Sequence, residues 1–186
     1  MSDDADLLAR AAGGDDAAFG TLVRRHTPRM YHVALRITGC AAEAEDVVQD
    51  SWLAAWRSLA GFRHESAVST WLHRVVTNGA LALLRRRKPT ISLDAPEPGG
   101  QSTLDRALFA VAEPGPESRV VRAEEVDAVL RAIRGLESSQ RVPLVLRELE
   151  GLSYAEVAEV LDVNVGALRS RLHRARVTLL AELRER

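Results

Sequence analysis

Residues 152–176 read LSYAEVAEVLDVNVGALRSRLHRAR, and this stretch decides the fold of the C-terminal part of the chain. Its apolar spacing predicts a short helix over about 153–161, then a tight turn that ends at Asn164, and then a second helix. Asn164 is a typical N-cap residue, because its side-chain oxygen can accept a hydrogen bond from the backbone N–H of Gly166 or Ala167. Helix, short turn and helix is the helix-turn-helix pattern.

The second helix of this motif is predicted to have one apolar and one basic face. Its buried face is expected to hold Leu168, Leu172 and Ala175. Its outer surface is expected to present Arg169, Ser170, Arg171, His173, Arg174 and Arg176. Such a helix lies in the major groove of DNA, where arginine binds either a guanine edge or a phosphate. An ordinary helical hairpin with a solvated arginine face is the alternative.

Composition sets the class of protein. The chain has 186 residues, of which 27% are charged and 46% hydrophobic, and this balance is typical of folded globular domains. Its apolar runs are far shorter than the ~20 residues of a membrane helix, and its first ten residues are acidic, which argues against membrane insertion and against a secretory signal. Cys40 is the one cysteine, so no intramolecular disulfide can form, which is compatible with a cytoplasmic protein.

Charge is distributed unevenly, although the net charge is only −1. Residues 1–22 carry five acids against one base, residues 85–88 read RRRK, and residues 165–178 hold four arginines without an acid. Local basic segments in a nearly neutral chain indicate separate surfaces for nucleic acid.

Proline content divides the chain in two. Residues 89–121 contain five of the seven prolines, which predicts a flexible linker between an N-terminal domain over 5–88 and a C-terminal domain over 122–184. No period-2 pattern typical of a strand occurs in either part. We therefore predict an all-α protein of two small helical domains.

Three long helices are predicted in the N-terminal domain. The first carries an apolar stripe from Phe19 to Ile37 and ends at Gly39. The second spans about 42–59, and its inward stripe is expected to be Val48, Trp52, Ala55, Trp56 and Leu59. The third is expected to begin with Ser69 or Thr70 as its N-cap, and its stripe to be Leu72, Val75, Val76, Gly79 and Leu83.

The outer faces of the second and third helices differ in character. The second presents Asp46, Gln49, Asp50, Leu53 and Arg57, which fits contact with a basic, partly apolar partner helix but also a solvated face. The third presents Trp71, Arg74, Asn78 and Arg85, with Phe62 in the preceding loop. Aromatic, amide and cationic groups together suit single-stranded DNA, and core packing with dipole-complementing arginines is the alternative.

Other functional classes find little support in the residues. The chain lacks a phosphate-binding glycine loop, an HExxH motif and a G-x-S-x-G motif, and its five histidines lack the spacing of metal ligands, so neither an enzyme nor a cofactor or metal site is expected. A stand-alone helix-turn-helix regulator would dimerise and would leave the outer faces of the second and third helices unexplained. A helical adaptor without a DNA role is disfavoured by the acid-free segment 165–178.

Several segments, in order along both domains, resemble a group 4, extracytoplasmic-function (ECF) sigma factor of the sigma-70 family. LLARAAGGD at 7–15, with Phe19–Arg36 after it, resembles the start of sigma region 2. AEDVVQD at 44–50 resembles the segment that grips the β′ clamp helices of bacterial RNA polymerase. FR at 62–63 and STWLHRVVTN at 69–78 resemble the reader of the promoter −10 element. GLSYAEVA at 151–158 and RSRLHRAR at 169–176 resemble region 4, the −35 reader.

The resemblance implies a role for each surface. Asp46, Gln49, Asp50, Leu53 and Arg57 would bind core polymerase. Phe62, Trp71, Arg74, Asn78 and Arg85 would hold melted −10 DNA. The basic face of the second helix-turn-helix helix would bind −35 duplex. It further implies a non-catalytic, cytoplasmic protein whose partners are core polymerase (β′ clamp helices and β flap), promoter DNA and an anti-sigma factor.

The length of the predicted linker agrees with this role. About 33 residues could reach ~110 Å when fully extended. A spacer of roughly 17 base pairs between promoter elements spans about 58 Å at 3.4 Å per step. Two DNA-reading domains joined in this way could occupy both elements at once.

Overall fold

The computed structural model describes residues 3–61, 67–87 and 128–184. Within these ranges every regular element is helical, so the prediction of an all-α fold is confirmed. We call residues 3–87 the N-terminal unit and residues 128–184 the C-terminal unit. The predicted linker over 89–121 and the predicted site residue Phe62 lie outside the described residues.

Four helices form the N-terminal unit: α1 (Asp4–Ala12), α2 (Asp16–Thr38), α3 (Ala41–Ser58) and α4 (Val68–Arg86), with a 3-10 turn at Leu59–Gly61. Asp15 caps α2 by accepting a hydrogen bond from the Ala18 N–H at 3.0 Å. The helix continues through Pro28 and ends, as predicted, at Gly39, whose φ of 76° is a left-handed conformation that favours glycine.

α2 lies at the centre of the N-terminal unit and packs against α1, α3 and α4. Its buried apolar side chains include Leu22, Met30, Val33, Ala34, Leu35 and Ile37. Those of the two following helices include Val47, Val48, Ala55, Leu72, Val76 and Ala80. The predicted stripes therefore form one core, and their burial determines which faces of α3 and α4 remain in solvent.

Trp56 is a correction to the predicted core. It is 43% exposed, whereas its neighbour Ala55 is completely buried. The Trp56 ring meets Phe19 edge-on, with the ring centroids 4.7 Å apart. A side chain of this size at the edge of the buried stripe covers Phe19 with one side and leaves the other in solvent.

The start of α4 is a second correction. The helix begins at Val68 with Ala67 in the N-cap position, not after Ser69 or Thr70. Thr70 instead points out of the N-terminal unit, and its hydroxyl donates to Glu156 Oε1 of the C-terminal unit at 3.4 Å. The Thr70 hydroxyl, which the sequence pattern assigns to a helix cap, thus bonds to a residue of the other unit instead.

The C-terminal unit consists of α5 (128–135), α6 (Ser138–Leu144), a π-helical turn (Val145–Leu149), α7 (Tyr154–Leu161) and α8 (Val165–Arg184). Its buried apolar residues include Leu130, Ile133, Val142, Leu146, Val157, Val160, Leu168, Leu172 and Ala175. The three residues predicted to form the inner face of α8 are all fully buried.

The two units are in direct contact. α7 packs on α4, while α2 contacts α6 and the π-helical turn. Glu150, which follows that turn, directs its carboxylate between α2 and α4, where only 4% of the side chain remains exposed. The contact is therefore both apolar and ionic.

We expect Leu172→Ala to lower the free energy of unfolding of the protein by about 2–5 kcal/mol, because it leaves a cavity in a fully buried site. Leu180→Ala, on the same helix, is the matched control, since Leu180 is 56% exposed. Its expected effect is below about 0.5 kcal/mol. Urea unfolding followed by circular dichroism measures both, and equal losses would contradict the described rotation of α8.

Candidate polymerase and DNA interface

The outer face of α3 is an exposed strip of mixed character. Its members, all in solvent, are the five predicted residues Asp46, Gln49, Asp50, Leu53 and Arg57. Leu53 is 55% exposed, and the exposed edge of Trp56 lies one turn away on the same helix. A large exposed apolar side chain among acids and an amide is more typical of a protein-binding surface than of an ordinary solvated helix face.

The α4 helix brings Arg74, Asn78 and Arg85 to the surface, as predicted. Trp71 differs from them, because it is half-buried and packs against the hydrophobic core. Its side chain is therefore only partly accessible at the start of the helix, next to the exposed Arg74. An aromatic edge, an amide and cations on one helix can hold an unpaired strand.

A groove of about 400 Å³ runs between α3 and α4. Asp50 and Asn78 lie on its two sides, with Ser51 and Gly79 between them. A Cβ on Gly79 would come within 3.1 Å of Ser51 Oγ, so the close approach of the two helices depends on this glycine. The α3 strip and the exposed residues of α4 are thereby held on either side of one groove. Sequence reasoning assigned Gly79 to an apolar stripe and missed Ser51, which carries no signal in the pattern.

The helix-turn-helix forms as predicted, from local hydrogen bonds. Ser153 and Glu156 make a reciprocal capping box at the start of α7. Asp162, with a φ of 52°, makes the sharp turn after α7. Asn164 Oδ1 then accepts a hydrogen bond from the Ala167 N–H at 2.7 Å, which is one of the two predicted alternatives.

The outer surface of α8 divides into two parts. Arg169, Ser170, His173 and Arg174 are exposed, whereas Arg171 is half-buried. Arg176 is also exposed, but it donates to Glu148 Oε1 at 2.5 Å, and its Nη2 lies 3.5 Å from the Tyr154 hydroxyl. This hydrogen bond to Glu148 raises the pKa of Arg176 above its usual value.

Tyr154 is a member of this surface that sequence reasoning missed. The guanidinium of Arg147 lies 5.1 Å and that of Arg169 5.7 Å from the centre of its ring. The hydrogen bond to Arg176 is the largest of the effects that lower the pKa of the Tyr154 hydroxyl. Cation–π contacts of this kind orient Arg169 with respect to α7. An aromatic residue in the first turn of α7 was the sequence feature that could have identified Tyr154 as part of this surface.

Two negative findings apply to the described ranges 3–61, 67–87 and 128–184. They hold no cluster of three or more histidine, cysteine, aspartate or glutamate side chains that could bind a metal ion. No helix within them is long and apolar enough to cross a membrane.

Comparison with known proteins covers both units. The family described as Sigma-70 region 2 matches residues 22–90, and Sigma-70, region 4 matches residues 127–179. The ECF RNA polymerase sigma factor SigM of Mycobacterium tuberculosis is 37% identical over 95% of this chain and 82% of its own length. The chain belongs to the ECF sigma factors of the sigma-70 family. The predicted family and the predicted promoter-directing function are thus confirmed.

Other relatives agree with this assignment. SigW of Bacillus subtilis is 31% identical to this sigma factor over 92% of each chain. The solved structure of CnrH in complex with the cytosolic domain of CnrY superposes with a TM-score of 0.67, at 28% identity and 96% coverage of both chains. Membership of this family rules out the stand-alone regulator and the adaptor considered above.

We expect Asn164→Ala to destabilise α8 by about 1 kcal/mol, because the Ala167 N–H loses its only side-chain partner. Asn164→Asp keeps an acceptor at this position and is expected to remain within about 0.5 kcal/mol of the original protein. Thermal unfolding monitored at 222 nm compares the three proteins. Equal loss in both variants would show that the cap does not stabilise the helix.

Proposed function

We propose that this sigma factor binds core RNA polymerase through the α3 strip, reads the −35 element with α8 and holds melted −10 DNA on α4. The observation that carries the proposal is the exposed surface of α8. Residues 165–178 present four arginines and no acid, and Asn164 caps the helix at the end that enters the groove in helix-turn-helix proteins.

Contacts with −35 duplex are assigned to Arg169, Ser170, His173 and Arg174, whose side chains are all exposed on α8. Arg171 and Arg176 are assigned to the border of this surface. Arg176 is already bound to Glu148, which holds its guanidinium in one position. A guanidinium held in this way suits contact with a phosphate better than contact with a base edge.

Contacts with −10 DNA are assigned to Arg74, Asn78 and Arg85, with Trp71 at the start of the helix and Phe62 before it in the sequence. The exposure of Arg74 and Asn78 along one side of α4 supports this assignment. Unstacking a base costs a few kcal/mol, and stacking on an aromatic ring can offset that cost.

Core polymerase is assigned to the α3 strip, with the β′ clamp helices as its partner and the β flap as the partner of the C-terminal unit. The juxtaposition of Asp46, Asp50 and the exposed Leu53 supports a partner helix that is basic and partly apolar. An anti-sigma factor would compete for such surfaces, and the capture of CnrH with a bound protein domain supports a partner of that kind.

Further parts of the proposal concern chemistry, location and organisation. We assign the protein no catalytic activity of its own, since it would act by positioning the polymerase, and a place in the cytoplasm, where polymerase and promoter are found. Sigma region 2 is assigned to 5–88, the linker to 89–121 and sigma region 4 to 122–184. The two family matches fall on the two proposed regions, which supports this division.

Replacing Asp46 and Gln49 together with alanine is expected to weaken association with core RNA polymerase at least tenfold, because both side chains lie on the proposed contact strip. Association is measured by co-elution and by titration of labelled protein with polymerase. Glu159→Ala is the matched control, since it removes one exposed acid from α7 of the other unit. Undiminished binding of the double variant would refute the assignment of the α3 strip.

Arg174→Ala and Asn78→Ala are expected to fail at different steps of initiation. A promoter selected from a randomised library by run-off transcription with this sigma factor provides the template. Arg174→Ala should reduce closed-complex binding about 5- to 150-fold through loss of a −35 contact. Asn78→Ala should bind nearly normally but form fewer open complexes, as seen by permanganate reactivity of unpaired thymines.

The control for this pair is Arg184→Ala, which removes an exposed arginine near the end of α8, beyond the proposed contact surface. It should behave as the original protein in both assays. If Arg174→Ala and Asn78→Ala reduced the same step equally, the division of promoter reading between α8 and α4 would be wrong.

A further inference from the structure

Glu150 belongs to the C-terminal unit, but the ionisable partners of its side chain belong to the N-terminal unit. Arg29 Nε lies 3.1 Å from Glu150 Oε2, and Arg36 pairs with the other carboxylate oxygen. His73 Nε2, from α4, lies 3.6 Å from Oε2. Arg29 Nη2 also donates to the Glu150 backbone carbonyl at 3.0 Å. Two helices of one unit therefore surround a single carboxylate of the other.

Burial makes this contact sensitive to the loss of any partner. Desolvation favours the neutral carboxylic acid, yet His73, Arg36 and Arg29 together outweigh it and hold the pKa of Glu150 below its usual value. A buried carboxylate with its cations removed is strongly unfavourable. The charged form of Glu150 is thus accommodated in its buried position only because the two units contact each other.

The rest of the interface combines apolar packing between helices of the two units with a few polar contacts. Thr70 donates to Glu156 at 3.4 Å, and the side chain of Arg134 lies against Gly39. Interfaces of this type between units of one chain commonly open and close. Breaking the Glu150 cluster would remove the principal ionic contact of the interface between the two units.

The contact also limits how far apart the two DNA-reading surfaces can be. Thr70, beside Trp71, touches Glu156 of α7, and Tyr154 of the same helix turn lies 5.7 Å from Arg169 of α8. The start of the proposed −10 surface is thus joined to the proposed −35 surface through a single helix, α7. The two promoter elements lie about 58 Å apart. The closed arrangement therefore brings together two surfaces that the promoter needs apart.

We propose that Glu150 is a latch that holds the free sigma factor in a closed, promoter-incompatible arrangement and that must release Arg29, Arg36 and His73 before both elements are read. The statement that the closed form is inactive rests on the proposed function. The statement that Glu150 closes the chain does not, because it concerns the free protein alone. Binding to the polymerase must then supply the free energy that is lost when the Glu150 contacts break.

The test is an interdomain distance in the full-length free protein. Spin labels are placed on cysteines introduced at Ala17 of α2 and Ala181 of α8, both exposed. Cys40 is replaced by serine, which suits its place as the N-cap of α3. Electron–electron double resonance then gives the distance distribution without polymerase or DNA.

The labelled protein with Glu150 and Arg29 unchanged is expected to give a short distance between the labels, with a narrow distribution. Glu150→Gln should lower the ratio of closed to open molecules at least tenfold and produce a long, broad component. Arg29→Gln, which approaches the latch from the other unit, should shift the ratio in the same direction. Glu148→Gln is the matched control, because Glu148 is two residues away and pairs with Arg176 within its own unit. It should keep the short distance.

Two results would overturn the latch: a long, broad distribution in the unsubstituted protein, or an unchanged short distance in Glu150→Gln. Circular dichroism of each variant establishes that the helices remain folded, and Arg29→Gln keeps the test valid if Glu150→Gln unfolds. Run-off transcription with the Arg174 and Asn78 variants reports on the proposed function separately. Loss of the latch with intact promoter reading would refute only the latch.

Discussion

The complete burial of Leu168, Leu172 and Ala175 fixes the rotation of α8 about its own axis. Since these three side chains occupy one stripe, Arg169 and Arg174 must point away from the core, whatever their own preferences. The same constraint acts on α3, where burial of Val48 and Ala55 sends the acidic strip into solvent. Apolar burial thus decides which way the proposed contact surfaces of α3 and α8 face.

The contact between the two units combines apolar packing with one buried ionic cluster. Buried apolar side chains form one continuous core across both units, and Arg29, Arg36 and His73 surround the Glu150 carboxylate. An ionic contact of this kind can be exchanged for other partners in water. Such an exchange suits a protein whose two proposed DNA-reading surfaces are needed at separate places.

The helix-turn-helix was predictable in detail because the forces that build it are local. The Asn164 cap, the turn before it and the i, i+4, i+7 stripe all lie within 25 residues, and each appears in the structure as expected. The exposed faces of α3 and α4 followed from the same periodicity. Trp56 was misplaced because a residue at the edge of a stripe is buried or exposed according to the shape of its neighbours.

The sequence by itself determined the helical elements, the two-unit organisation and the faces of α3, α4 and α8 that lie in solvent, since periodicity and capping act between near neighbours. Only the tertiary structure decided the contacts between residues far apart in the chain. Thr70 pairs with Glu156 across 86 positions, and Arg29 meets Glu150 across 121. No local pattern marks such pairs, because they form where two separately folded surfaces meet.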